Sequence, residues 1–486
     1  MMLRILAGVL LALVLLAGVL LVNTLRVSSA AAGAAGAVES PALEEAALRR
    51  LSAAISHRTV SSGDSAGAPA PFSAFHAFLQ DAFPRVHAEL THRRIGGLSL
   101  LYEWPGTDTA AKPVLFLAHQ DVVPAADPGA WTHPPFSGAI EAGYVWGRGA
   151  MDDKSSLMGW LEAVEQLLAS GFRPARTVYL AFGHDEETGG EAGAREIARY
   201  LASRGVQLEF VLDEGGFVGR GLMPGLAAPV ALVGIAEKGY LTVELTATEE
   251  GGHSSRPPER TAIGMVSRAV ARLEENPFPG RLDGATEAMF DRLAPHLPFG
   301  QRLVVANRWL LEPVLVAALE SRTNTAPLVR TTTAATVFSA GEKDNVLARH
   351  ATAMMNLRIL PGETVDATLE RIELVIDDPR VQVRTTTAVE PSPTSSTTSP
   401  AWKLLERSIR EVLGDEIVVA PYLLVAGTDS KHFAPLADDV YRFFALTVTP
   451  DDVVRFHGID ERIAVEDYAN VIAIYRRILG NLSRLH

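Results

Sequence analysis

The chain has 486 residues, of which 48% are hydrophobic and 21% charged, and its net charge is −13. That length exceeds one ordinary core and predicts two domains, and the composition excludes an intrinsically disordered chain. The acidic excess argues against nucleic acid as a partner, and the lack of cysteine excludes disulfides, a thiol nucleophile and a cysteine metal site, so any metal must be held by His, Asp and Glu.

After Arg4, Ile5 to Val22 form 18 consecutive apolar positions, followed by Asn23, Thr24 and Arg26. A run of that length just spans a bilayer and is long for a signal-peptide core. Residues 1–27 are expected to be an uncleaved membrane anchor; a cleaved signal is the alternative, because the small residues of "VSSAAAGAAGA" follow. Either way the body of the protein is expected to be exported, to a periplasm or the extracellular side, and residues 28–44 read as a tether.

From Pro113 the pattern alternates between strand and helix. "VLFLA" (114–118), "TVYLAF" (177–182) and "EFVL" (209–212) are continuous apolar runs, as expected of strands covered on both faces. Leu157, Trp160, Leu161, Val164, Leu167 and Leu168 recur at helical spacing before Gly171, and a second helix is expected over 190–204. This βαβ order predicts an α/β domain with a mostly parallel sheet, beginning over 45–237.

Around Glu237 the texture changes. "GYLTVELTA" (239–247) alternates like a strand with one wet face, and a helix over 261–275 and a proline-bearing insertion (277–327) follow. Strands at 332–340, 351–359 and 381–387 and a helix over 364–376 complete the set. Residues 238–388 are thus expected to form a smaller, inserted α+β domain of ferredoxin-like type. "SPTSSTTSP" (392–400) reads as a linker. The α/β domain resumes over 389–486, with helices over 401–413 and 466–479 and a strand at "RFFALTV" (442–448).

In such a sheet ligands bind beyond the carboxyl ends of the strands. His119 and Asp121 follow the first apolar run, Asp152 and Asp153 lie in "GRGAMDDK", Asp185, Glu186 and Glu187 follow the second run, and Asp213 and Glu214 the third. Taken singly, His119 reads as a hydrogen-bonded core histidine, the paired aspartates as helix caps and the triplet as a hydrated acidic loop. Together, so many acids around one histidine need more than one positive charge, and a pair of divalent ions sharing a carboxylate satisfies them.

In this order and spacing, "HQD", "GRGAMDDK", "DEE" and "LDEGG" resemble the di-zinc aminoacylase and carboxypeptidase family, in its branch of carboxypeptidase S and N-fatty-acyl-amino-acid synthase/hydrolase. The resemblance runs from about residue 50 to the C-terminus and includes "GGHSS", "GEKDN", "NLRILPG", "AGTDS" and "HGIDERI". It implies a lid or dimerisation role for residues 238–388 and two zinc ions per chain, with Co²⁺ or Mn²⁺ suited to the same donors. His119 would ligate one zinc and Asp152 bridge both, with Glu187 completing one metal and His457 the other. The acid of "LDEGG" would be the fifth ligand; Asp213 and Glu214 both stay open, with a lean to Asp213. Asp121 would accept the His119 imidazole N–H without touching metal. The peptide after the bridging aspartate is expected to be cis.

The resemblance also leaves Glu186 free as general base towards a water bridging the metals. His253 of "GGHSS" would donate to the developing oxyanion, arriving from a partner subunit or after domain closure, so a homodimer is an expected assembly. Read alone, His253 is a turn residue. Arg358, with Asn345 nearby in sequence, reads as a fork for a substrate carboxylate, and Gly427 and Thr428 of "AGTDS" offer backbone N–H groups as a second grip. There is neither a G-x-S-x-G elbow nor a phosphate loop. The expected activity is zinc-dependent hydrolysis of the amide bond of small N-acyl amino acids, with long acyl chains implied by the resemblance. Release of C-terminal residues from short peptides is the alternative, and a non-catalytic, membrane-anchored binding protein is the reading of another class.

Overall fold

The computed structural model describes residues 1–27, 43–61, 68–223 and 225–485. All but two residues of the expected tether lie outside the described residues. The centre is a ten-stranded sheet. Val114–His119 pairs in parallel with Val178–Gly183 on one side and Leu208–Asp213 on the other, and Ala437–Arg442 runs parallel to Leu208–Asp213 beyond it. Burial along nearly their whole length explains why the first three read as continuous apolar runs. Thr91–Ile95 and Ser99–Trp104 close one edge antiparallel. Helices Lys154–Ala169 and Val465–Asn481 pack together, with Trp160 stacked between Phe116 of the sheet (ring centroids 4.1 Å apart) and Tyr475 (3.6 Å). Aromatic stacking thus ties the C-terminal stretch to the first part of the chain.

A separate four-stranded antiparallel sheet takes the order Thr332–Ala340, His350–Ile359, Gly239–Thr248, Val381–Val389. One face of the central pair buries Leu241, Val243, Leu245, Met355 and Leu357 under helices Ala262–Glu275 and Val365–Ile376, and the alternate residues face outward. The alternation in the sequence is this one-sided burial. The whole is a mostly parallel α/β sheet carrying an inserted small α+β unit, as expected.

One expectation needs correction, and two segments gain detail. "RFFALTV" is not one strand: Arg442 ends the strand Ala437–Arg442, Phe443, Phe444 and Leu446 are core residues of the segment that follows, and Thr447–Val448 pair again as a short strand. The "ADDVYR" sequence hides a buried strand because Arg442 is neutralised by Glu237 at 3.1 Å and Asp439 accepts from Ser396 N at 2.7 Å. "SPTSSTTSP" has no helix or strand before Pro400, yet it is pinned: Ser395 N donates to the Ile235 carbonyl at 2.8 Å. The insertion over 277–327 holds three α-helices, Gly284–Leu293, Phe299–Ala306 and Arg308–Glu320. The N-terminal run forms one helix, Met2–Arg26, long and apolar enough to cross a membrane.

Candidate active site

The acids and histidines gather where the parallel strands end. His119 is the last residue of its strand, opposite Gly183. The chain then leaves the second strand through Asp185 into a single turn, Glu186–Thr188, and the third strand ends at Asp213. Gly183 and Gly190 have to be glycines: a Cβ on either would come within 2.3 Å and 2.1 Å of the buried carboxylate of Asp429, from "AGTDS".

Asp152 sits between two imidazoles. Its Oδ1 is 2.9 Å from His119 Nε2, and its Oδ2 is 3.1 Å from His457 Nε2. His119 Nε2 also faces Glu214 Oε1 at 3.2 Å, and His457 Nε2 faces Glu187 Oε2 at 3.2 Å. Two donor groups result, His119–Asp152–Glu214 and Asp152–Glu187–His457, and they share Asp152. Glu187 and His457 therefore belong to the same group, correcting the expectation that they serve different metals. His457 reaches the Asp152 oxygen that His119 leaves free, and Glu187 faces His457.

Asp213 is turned away. Its carboxylate accepts from Ser430 N at 2.8 Å and Glu214 N at 2.9 Å. Neighbouring residues at a strand end face opposite sides, so Glu214 enters the cluster and Asp213 does not, against the lean to Asp213. Asp121 also departs from expectation. His119 Nδ1 lies 2.9 Å from the backbone carbonyl of Asp121 and 3.4 Å from its carboxylate. The carboxylate instead accepts from the Glu186 and Glu187 backbone N–H groups at 3.2 Å each, and from Ser61. Asp121 thus fixes both the ring and the acidic turn. Asp153 caps nothing with its side chain; its Oδ2 accepts from His119 N at 3.2 Å. The Asp152–Asp153 peptide is cis, as expected.

The electrostatics call for a cation. With its Nδ1–H given to the Asp121 carbonyl, His119 presents a lone pair at Nε2 towards two carboxylates, an arrangement that repels unless a positive charge lies between. Burial disfavours a charged His119 ring, but Glu214, Asp121 and Asp152 override it and push the pKa well above the ordinary value. Burial, then Asp152, pushes Glu214 up to about 8. Hydrogen bonds to Asp152 and Glu187 push His457 up to about 10. Burial, opposed by His119 and reinforced by Glu214, Asp429 and Glu187, raises Glu186 well above the carboxylate range. Acids this crowded stay ionised together only when divalent charge is supplied, and the His and carboxylate donors fit such ions.

Sequence reasoning missed the support beneath the cluster. Glu461, fully buried, accepts from the backbone N–H groups of Gly149, Met151 and Asp152 at 2.9, 2.8 and 3.2 Å. Arg148 pairs with Glu461 at 2.5 Å and donates to the carbonyls of His457 and Gly458 at 3.0 and 3.1 Å. One buried ion pair thus holds the Asp152 turn and the His457 loop against each other. Both residues lie inside quoted motifs, "GRGAMDDK" and "HGIDERI", which was the available signal.

The remaining predicted residues stand apart from the two donor groups. His253 is exposed on a short ribbon, Gly252–His253 with Val346–Leu347, where its Nδ1 accepts from Ser255 N at 3.1 Å. The same ribbon brings Asn345 beside it, the Asn345 carbonyl accepting from Ser254 N at 3.1 Å. Arg358 is half-buried with its guanidinium 4.5 Å from the Tyr240 ring centroid, and no acid pairs with it among the described residues. Gly427 is exposed, whereas the Thr428 hydroxyl is committed to Glu237 Oε1 at 2.6 Å.

A mostly parallel sheet with two histidine–carboxylate groups sharing an aspartate at its strand ends, carrying an inserted α+β unit, defines a metallohydrolase. The chain belongs to peptidase family M20/M25/M40, whose family model matches residues 115–481. It is 40% identical over 442 residues to a probable carboxypeptidase S-like protein 2 of Dictyostelium discoideum, covering 90% of this chain and 85% of that one. It is 39% identical over 439 residues to the N-fatty-acyl-amino acid synthase/hydrolase PM20D1.1 of Danio rerio, covering 89% and 85%. Among solved structures, the fold matches an M20 family metallo-carboxypeptidase, Sso-CP2 from Sulfolobus solfataricus, with a TM-score of 0.68 at 19% identity, covering 91% of this chain and all of that one.

Proposed function

We propose that this hydrolase holds two zinc ions and cleaves the amide bond of N-acyl amino acids, with the catalytic body exported behind an N-terminal membrane anchor. The observation that carries the reading is Asp152 offering one carboxylate oxygen to each histidine. His119, Asp152 and Glu214 would hold one ion, and Asp152, Glu187 and His457 the other. When bound, such ions polarise a carbonyl oxygen and lower the pKa of water towards about 7. Glu186, outside both donor groups and held by its backbone on Asp121, accepts the proton of the attacking water and returns it to the leaving nitrogen. Elemental analysis of active protein should find about two zinc ions per chain, and chelation should abolish activity until zinc returns. Full activity at one metal or none would sink the dinuclear site.

The unpaired guanidinium of Arg358 supports recognition of a free substrate carboxylate. The acyl side rests on relatives named for N-fatty-acyl amino acids, while a relative of equal identity is named for carboxypeptidase S, which favours peptides as the second reading. Acetyl-, octanoyl- and oleoyl-phenylalanine, assayed beside phenylalanine-ended dipeptides below micelle thresholds, separate the two. We expect kcat/KM to hold or rise with acyl length. A steady fall, with dipeptides preferred, favours the peptidase. In the same assay Arg358→Ala should cost about 2–4 kcal/mol in kcat/KM on the free acid and little on its amide.

A further inference from the structure

The N-terminal helix does not stand apart from the body. Its last turns lie against Phe299–Ala306, and the fully buried Asn307, between that helix and Arg308–Glu320, fastens them. Asn307 Nδ2 lies 3.1 Å from the Leu20 carbonyl and 3.3 Å from the Thr24 hydroxyl, and Asn307 Oδ1 accepts from Asn23 Nδ2 at 3.0 Å. Thr24 is buried, and Val27 packs on a small cluster of Ala294, Leu297 and Val305. N-terminal to this joint the helix is bare, with Leu10 64% and Val14 60% exposed.

The two helices joined at Asn307 carry exposed Phe299, Trp309, Leu310 and Val314, with Trp309 62% and Val314 59% accessible. A span needs about 20 residues, so a 25-residue helix leaves its last turns at the edge of the hydrocarbon. That is where Asn23 and Thr24 find their polar partners, and Trp309 is two residues from the joint, at the depth where tryptophan favours the interface. We propose that Phe299, Trp309, Leu310 and Val314 rest in the surface of a lipid bilayer, so that the hairpin and the N-terminal helix form one membrane-seated unit latched by Asn307. The proposal rests on the anchor reading of residues 1–27. It is carried by the continuity of the apolar face with that helix.

The chain has no cysteine, so single-cysteine reporters carry no background. Full-length Trp309→Cys, Leu310→Cys and, as control, Leu374→Cys on the inserted unit would be labelled with NBD and reconstituted in phosphatidylcholine vesicles containing nitroxide lipid. Quenching at 309 and 310 should exceed that at 374 by about threefold or more. Adding Asn307→Leu to the Trp309→Cys chain should reduce it, and Thr24→Val serves if that variant does not fold. Equal quenching at all three sites overturns the proposal. So does shielding from aqueous iodide without quenching by lipid, because protein would then cover the face. Intact mass separates the two readings: loss of residues 1–27 removes the anchor and the proposal with it, whereas an intact chain with unquenched labels overturns the proposal alone.

Discussion

Glu186→Gln should lower kcat by at least ~10²-fold while metal content stays near normal, because a positioned general base contributes on that order. The amide keeps the shape of the side chain but cannot take a proton. Its backbone anchor on Asp121 is untouched, so the turn should survive. Glu187→Gln should act differently. Its Oε2 faces the imidazole that shares Asp152, so losing its charge should weaken the Asp152–Glu187–His457 group and lower metal occupancy. Activity lost through Glu187 should return with excess zinc, and activity lost through Glu186 should not. Metal titration of the two variants alongside kcat checks both halves. A Glu186 variant that loses its metal, or a Glu187 variant that keeps it and still fails, would reverse the assigned roles.

Arg148→Met should destabilise the fold by about 3–5 kcal/mol, the usual cost of leaving one member of a buried ion pair uncompensated. Arg148 and Glu461 are both almost wholly inaccessible. Burial already pushes the Glu461 carboxyl up to about 7 with the arginine present. The double exchange Arg148→Met with Glu461→Leu removes both charges, so much of the stability should return. Zinc affinity should not return with it, because the backbone of Asp152 and the carbonyl of His457 have lost their common support. Denaturant unfolding read together with metal content distinguishes the two effects. If the double variant regains both, the pair is only a packing element and does not position the cluster.

The legible parts of the molecule were those where one residue type served one purpose. Buried parallel strands had to be apolar throughout, and the alternating strands of the inserted unit had to bury one face. The acidic cluster was visible because like charges so placed have no cheap explanation. Choices between adjacent residues were less legible. Asp213 and Glu214 differ by one step along the chain, and only the direction of the strand's last side chain decides which enters the cluster. The sharing of Glu187 and His457 depends on which oxygen of Asp152 each can reach, and that is tertiary geometry. The strand Ala437–Arg442 was obscured because its charges are neutralised by Glu237 and the 392–400 segment, partners far away in sequence. Arg148 and Glu461 were in view within their motifs, but neither has an obvious chemical task until the loops they join are seen together.

His457 comes 270 residues after Glu187 in sequence, beyond the whole inserted unit, and the apolar helix Met2–Arg26 precedes them both. The order of synthesis therefore separates arrival from competence. A chain in synthesis can already have in place the strand ends that present His119, Glu187 and Glu214, yet hold only one complete donor group until His457 emerges. Chains that stop before His457 would carry half a centre. The second donor group is thus withheld until the chain has passed through the inserted unit and returned to the first sheet.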